Sequence, residues 1–161
     1  MKKAIFLDRD GVINQERKDY VKNIQEFNIL NGVADAIRII KKHGFLSIII
    51  TNQSAVNRGL LSENVLNQIH NNLQRHLNEN NTSFDAVYFC PHTPEENCDC
   101  RKPKPGLILK AAKEFDIDLS KSYMIGNSHT DIEAANLSGC KGILLQQNKS
   151  LLEVVEQLFR F

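Results

Sequence analysis

The stretch Ala4-Ile5-Phe6-Leu7-Asp8-Arg9-Asp10-Gly11-Val12-Ile13-Asn14 decides the fold class. Four consecutive apolar residues, too few for a buried helix, read as a short strand buried on both faces. Two carboxylates and a glycine mark its end, and these are turn-forming residues. Outward from there, apolar runs alternate with helical patterns. Val33, Ile37 and Ile40 form a helical stripe over 33–42 that Gly44 is placed to end. Residues 45–50 read as a second strand. Ser62 can cap a long helix with Val65, Leu66, Ile69, Leu73 and Leu77 on one face. Residues 84–89 read as a third strand, and Pro105 opens a helix carrying Ile108, Ala111, Ala112 and Phe115. A fourth strand over 123–125, a short helix over 131–137 ended by Gly139, a fifth strand over 143–145 and a last helix over 150–159 complete the pattern. Strands separated by such helices require right-handed crossovers. The expected fold is therefore α/β, a doubly wound parallel sheet covered on both faces.

Such folds carry function beyond the carboxyl ends of their strands. Asp8-Arg9-Asp10-Gly11 follows the first strand, Thr51-Asn52-Gln53-Ser54 the second, Cys90-Pro91-His92 leading to Arg101-Lys102-Pro103 the third, and Gly126-Asn127-Ser128-His129-Thr130-Asp131 the fourth. Taken singly, each has an ordinary structural reading. Asp-x-Asp-Gly can be an Asx turn, Thr51 a helix cap, Lys102 a solvated lysine, and Gly126 to Asp131 a turn followed by an N-cap. Their occurrence in one order, each at a strand end, points to chemistry instead. Carboxylates and a carbonyl suit Mg²⁺, while a hydroxyl, backbone N–H groups and a lysine suit phosphate. Together they fit phosphoryl transfer, in which positioning and charge neutralisation carry most of the catalysis.

Composition adds boundaries. The 161 residues suit one domain. A net charge of +1 gives no general attraction to nucleic acid or to an anionic membrane. No run is long enough for a membrane span, and the apolar stretch that begins at Ala4 is too short for a signal sequence. A reducing, cytoplasmic setting is expected, with a monomer as the default state. There, a tight cysteine cluster is a metal site rather than a disulfide set. Cys90, His92, Cys98 and Cys100 lie within eleven residues and supply three thiolates and an imidazole, a full tetrahedral set for structural Zn²⁺. Cys140 stands apart as a small buried residue. His43, His70 and His76 are expected on helix surfaces, and His129 either near the site or at a helix start.

The order Asp8-x-Asp10, Thr51, Lys102, Gly126-x-x-x-x-Asp131 resembles the four motifs of the haloacid dehalogenase superfamily of phosphatases. Asp8 to Asn14, Thr51 to Ser54 followed by Arg58-Gly59, and Cys98-Asp99-Cys100-Arg101-Lys102-Pro103 are similar to the D-glycero-D-manno-heptose 1,7-bisphosphate 7-phosphatase family, over about residues 3–145. Histidinol-phosphate phosphatases share the cysteine string and are the neighbouring family, whereas Asn14 and Arg58-Gly59 favour the heptose branch. The resemblance implies an Mg²⁺-dependent phosphomonoesterase in heptose biosynthesis for lipopolysaccharide. Asp8 would be nucleophile and Mg²⁺ ligand, forming an aspartyl phosphate. Asp10 would be acid and base with its carbonyl on the metal. Thr51 and Lys102 would hold the phosphoryl group. Asn14, Asn52, Gln53, Arg58 and Arg101 would contact the sugar or its second phosphate.

The fourth motif usually begins Gly-Asp, with that Asp on the metal. Here it is Gly126-Asn127, followed by Ser128 where heptose phosphatases often carry lysine. Asn127 keeps a neutral carbonyl for Mg²⁺ and loses a charge. Weaker metal binding with activity retained is the expectation. Compensation by Asp131, or a non-catalytic phosphosugar-binding module, are the alternatives. The 42 residues between Asp8 and Thr51, and the segment from Thr51 to Lys102, are too short for a separate cap. The expected site is open, bounded by a 14–31 flap, a 54–61 loop and the zinc loop.

Overall fold

The computed structural model describes residues 1–160. Five parallel strands form one sheet: β1 (Lys3–Leu7), β2 (Phe45–Asn52), β3 (Ala86–Cys90), β4 (Tyr123–Gly126) and β5 (Lys141–Leu144), in the order β3-β2-β1-β4-β5. The helices are α1 (Val33–Lys42), α2 (Glu63–Glu79), α3 (Gly106–Phe115), α4 (His129–Ser138) and α5 (Leu151–Leu158). None is long and apolar enough to cross a membrane.

Strand alternation divides the core. Ile5 and Leu7 of β1 join Ile49 and Ile125 under α1, α2 and α5, while Ala4 and Phe6 join Ile48, Ile50 and Met124 under α3 and α4. Because both faces are covered, the central strands are continuously apolar, as the sequence pattern requires. Leu66, Ile69, Leu73 and Leu77 are the buried stripe of α2. The Ser62 hydroxyl caps that helix by accepting from Val65 N.

Several boundaries differ from the pattern reading. β2 runs on through Thr51 and Asn52, which pair with Phe89 and Cys90, so Thr51 lies inside a strand rather than after it. β3 begins at Ala86, because the Asp85 carboxylate and amide instead bind Ser47 N and O as an entry clamp. α4 begins at His129, earlier than the apolar residues indicate, because Ser128 and Asp131 form a capping box. His70 is 3% exposed and packs inside the molecule, so its expected surface position is overturned. Helical spacing puts it on the same face as Leu66 and Leu73, and a short-range pattern of apolar residues does not register a histidine there.

The sheet changes winding direction between β1 and β4. Ligand crevices form at such a point, because the loops leaving the two strands diverge to opposite faces.

Candidate active site

Asp8 follows β1 directly, and its N–H donates to Ile125 O at 3.0 Å, so the end of β4 fixes its backbone. Lys102 arrives from the long loop after β3 and is 4% exposed. Its Nζ donates to Asp8 Oδ1 at 2.9 Å, to Asp131 Oδ1 at 2.6 Å and to Ile50 O at 2.8 Å. All three ammonium donors are satisfied, so the nitrogen is held at one point. Asn52 places it there. The Asn52 amide donates to Lys102 O and accepts from Lys102 N, clasping the incoming loop to the end of β2.

Asp131 is 1% exposed and serves twice. One oxygen binds Lys102, and the other accepts from Ser128 N at 3.2 Å to close the α4 capping box. Gly126 makes this possible, since a Cβ there would overlap the Asp131 carboxylate. Gly11, at φ +86°, likewise leaves room for the Asn127 amide.

Asp10 turns the other way. Its Oδ1 accepts from Arg9 Nη2 at 2.9 Å and Asn14 Nδ2 at 3.0 Å, and its Oδ2 accepts from Gln53 Nε2 at 2.8 Å. Burial alone would raise its pKa, but the Arg9 charge and the Asn14, Arg9 and Gln53 donors outweigh it and hold the carboxyl below its usual value. Asp8 behaves oppositely. Burial pushes its pKa up to about 7 against the pull of Lys102, and nearby Asp131 adds to the rise.

Beside burial, a surplus of negative charge contributes. Asp8 and Asp131 share a single ammonium, while Asp10 is already matched by Arg9. Asp8 Oδ2, the Asp10 carbonyl and the Asn127 side-chain carbonyl accept no hydrogen bond among the described residues. Hard oxygens around an anionic surplus suit Mg²⁺. Asn127 also donates through Nδ2 toward Glu16 Oε2 at 3.5 Å, so a flap carboxylate stands at the position where charge was expected to be missing.

These groups line a cavity of about 530 Å³ with Asn52, Gln53, Ser128 and the flap residues Glu16, Arg17, Lys18 and Tyr20. Beyond Glu16 and Asn127 it adjoins a second hollow lined by Gln15, Gln146, Gln147 and Lys149. The remaining sequence candidates lie further back. Thr51 is fully buried, with Oγ1 accepting from Gln53 Nε2 at 2.9 Å. Asn14 is also fully buried and braces Arg9 and Asp10 from behind. Arg58 donates to Ser54 Oγ and Arg101 to His92 O, and neither lines the cavity. Sequence reasoning missed Arg9, Glu16, Arg17 and Lys18. Arg17 is paired with Asp19 and Glu26, while Lys18 makes no ion pair among the described residues. Only Arg9, inside the Asp-x-Asp string, carried a local signal.

Cys90, His92, Cys98 and Cys100 converge with their donor atoms within 4.8 Å of one another. The sulfurs are 2.8 to 3.6 Å apart, and His92 Nδ1 lies 3.3 Å from Cys90 and 3.2 Å from Cys100. Four donors held ~2.3 Å from one ion would stand ~3.8 Å apart, so these three thiolates and one imidazole would need to spread a little to hold Zn²⁺, for which they are a full ligand set. Burial opposes ionisation of Cys98, but N–H bonds from Arg101 and Cys100 bring its pKa down to about 6. Cys98→Ser is expected to abolish stoichiometric zinc and to lower turnover ~10-fold or more, because the loop that delivers Lys102 loosens. Metal content by atomic absorption, alongside steady-state rates, checks this, and unchanged zinc would refute the assignment.

A HAD-hydrolase-like family model matches residues 99–158. The chain is 45% identical to the D-glycero-beta-D-manno-heptose-1,7-bisphosphate 7-phosphatase of Helicobacter pylori strain J99, over 91% of the chain and 84% of that protein. It is 43% identical to the enzyme of that name in Haemophilus influenzae, over 83% and 76%. The crystal structure of the D,D-heptose 1,7-bisphosphate phosphatase from B. bronchiseptica, complexed with magnesium and phosphate, superposes with a TM-score of 0.90 at 35% identity, covering 98% of both chains.

Proposed function

The chain belongs to the D-glycero-beta-D-manno-heptose-1,7-bisphosphate 7-phosphatases, within the haloacid dehalogenase-like hydrolases, and on that premise we propose that it removes the 7-phosphate from this heptose bisphosphate. The observation that carries the reading is the Lys102 ammonium gripping Asp8 and Asp131 beside the paired Asp10. Asp8 attacks phosphorus through a carboxylate oxygen and forms an aspartyl phosphate as the bond from phosphorus to the sugar oxygen breaks. Lys102 neutralises charge that builds on Asp8 and on the transferring group. Asp10 rests ionised. A phosphate dianion bound beside it opposes that charge, so the carboxyl takes up a proton as substrate binds. It gives that proton to the departing sugar oxygen and regains one from the water that cleaves the acyl phosphate. Gln53 and Asn14 aim that carboxyl, and Thr51 steadies Gln53 from below. Asp8, the Asp10 carbonyl and Asn127 would hold Mg²⁺, which when bound supplies charge neutralisation between carboxylate and phosphoryl oxygens.

Residues 1–161 act as one catalytic domain without a cap. This is supported by the segment between β1 and β2, which holds only a single 3-10 turn, Ile24–Glu26, and α1. The open mouth admits a sugar bisphosphate. Its far phosphate meets Lys18, which lines the cavity, whereas Arg58 and Arg101 are hydrogen-bonded to Ser54 Oγ and His92 O and do not line it. The protein works as a cytoplasmic monomer in heptose biosynthesis for lipopolysaccharide, without nucleic acid or membrane as partner.

The test is a panel of the heptose bisphosphate, its monophosphate and histidinol phosphate, run across an Mg²⁺ titration. Preference for the bisphosphate is expected. Preference for histidinol phosphate reassigns the substrate, and no turnover at saturating Mg²⁺ leaves a phosphosugar-binding protein. Asn127→Asp should lower the Mg²⁺ concentration for half-maximal rate ~10-fold, as one added carboxylate on a dication contributes on the order of 1–2 kcal/mol at a solvated site.

A further inference from the structure

His70 lies in the middle of α2, on a face otherwise filled by Leu66, Ile69, Leu73 and Leu77. A leucine would satisfy the helical pattern and the packing. The histidine instead brings a buried Nδ1 that finds no hydrogen-bond partner. Such a group is costly to bury and needs a compensating role. Its Nε2 lies 3.1 Å from Arg9 Nη1. Arg9 is itself wholly buried, and each of its three nitrogens has its own neighbour: Nε donates to Asn14 Oδ1, Nη1 meets His70, and Nη2 donates to Asp10 Oδ1. The guanidinium sits over the Phe27 ring, 5.4 Å from its centroid. A guanidinium keeps its proton, so Nε2 must accept and the imidazole must be neutral. The planar fork then has its rotation set by the acceptors at its corners.

We propose that His70 is a positioning residue for the acid–base step: by accepting from Arg9 Nη1 it fixes the guanidinium plane, and so aims the Asp10 carboxyl at the oxygen of the leaving group. The proposal rests on the acid–base role given to Asp10 above. Without the imidazole, Nη1 loses its acceptor and the fork turns. Asp10 then keeps its charge partner and its bonds from Asn14 and Gln53, but its Oδ1 follows the turned fork and the carboxyl is no longer held in one plane.

Leaving-group dependence separates aim from general damage. A sugar alkoxide needs a proton as it departs, whereas p-nitrophenolate does not. The quantity kcat/KM reports events only up to phosphoryl transfer onto Asp8, so the later hydrolysis does not blur the comparison. For His70→Leu, kcat/KM on the sugar phosphate is expected to fall ~10-fold or more, within the 100- to 10,000-fold range of general acid catalysis as a whole. On p-nitrophenyl phosphate it should change less than about threefold, by the same reasoning. His70→Gln, which restores an acceptor, should recover most of the sugar-phosphate rate. His70→Met fills the site with an adaptable apolar chain and gives the same reading should the leucine variant fold poorly, with circular dichroism and zinc content as checks. Equal losses on both substrates, or no loss on either, would overturn the proposal. Asp10→Asn serves as the control. If it too fails to discriminate between leaving groups, the acid role of Asp10 falls and the proposal with it. If it discriminates and the His70 variants do not, only the positioning role is lost.

Discussion

Asp8→Asn is expected to lower kcat at least ~10,000-fold while leaving the fold intact. Losses of that order follow removal of a nucleophile, because the covalent route closes and only binding and electrostatics remain. The amide has nearly the shape of the carboxylate, so Lys102 keeps a hydrogen-bond acceptor at Oδ1. The charge balance improves, since Lys102 then faces Asp131 alone. Thermal stability should therefore hold or rise, the usual sign of a site in which function strains the fold. An acid-quenched reaction analysed by mass spectrometry should show a phosphorylated peptide containing Asp8 in the parent and none in the variant. A phosphorylated variant would mean that another residue is the nucleophile.

Lys102→Met should be the most destabilising single change in the site. Lys102 is buried between two carboxylates, with a backbone carbonyl as its third partner. Removing one member of a buried ionic group leaves uncompensated charge and costs ~3–5 kcal/mol. Methionine nearly matches the lysine stem in volume, so the loss reflects charge rather than packing. Catalysis should fall a further ~100- to 1,000-fold, the usual effect of deleting one preorganised electrostatic partner. Urea unfolding measures the first effect, and steady-state rates measure the second. The double variant Lys102→Met/Asp131→Asn sharpens the argument. Neutralising one stranded carboxylate should restore part of the stability without restoring turnover. Recovery of turnover would show that Lys102 acts only by balancing charge, and would remove it from the chemistry.

Much of this was legible along the chain. The run Ala4 to Leu7 is apolar at every position because it lies between two helical layers, as a strand buried on both faces requires. Asp8 and Asp10 sit where a strand gives way to a turn, and chain order places them at the sheet edge. The metal-binding set was legible because its four ligands are close in sequence, so no long-range folding had to be guessed. Boundaries failed where a side chain overrode apolar pattern. Ser128 starts α4 before its apolar residues begin, and Asp85 holds back the start of β3.

Substrate-facing residues were harder. Asn14, Arg58 and Arg101 are of suitable type and stand in matching strings, yet Asn14 faces backward to Arg9 and the two arginines are turned to their own loops. Their places in the cavity wall are taken by Glu16, Arg17 and Lys18 of the flap. Nothing local marks those three, because an exposed charged run in a loop has no period and no required spacing.

By itself, the sequence determined the layered parallel sheet, the zinc-binding set and the four strand ends where chemistry gathers. Each of these depends on near neighbours, through hydrophobic periodicity, ligand spacing or turn chemistry. Only the tertiary structure decided how charge is shared among them. Asp8 and Lys102 are joined by a contact between residues 94 positions apart, and Arg9 and His70 by one across 61 positions. Which carboxylate takes the lysine, which takes the arginine, and which buried histidine holds that arginine in place depend on distances of a few ångströms between segments far apart in the chain. Coulomb and hydrogen-bond energies follow those distances and not the separation in sequence.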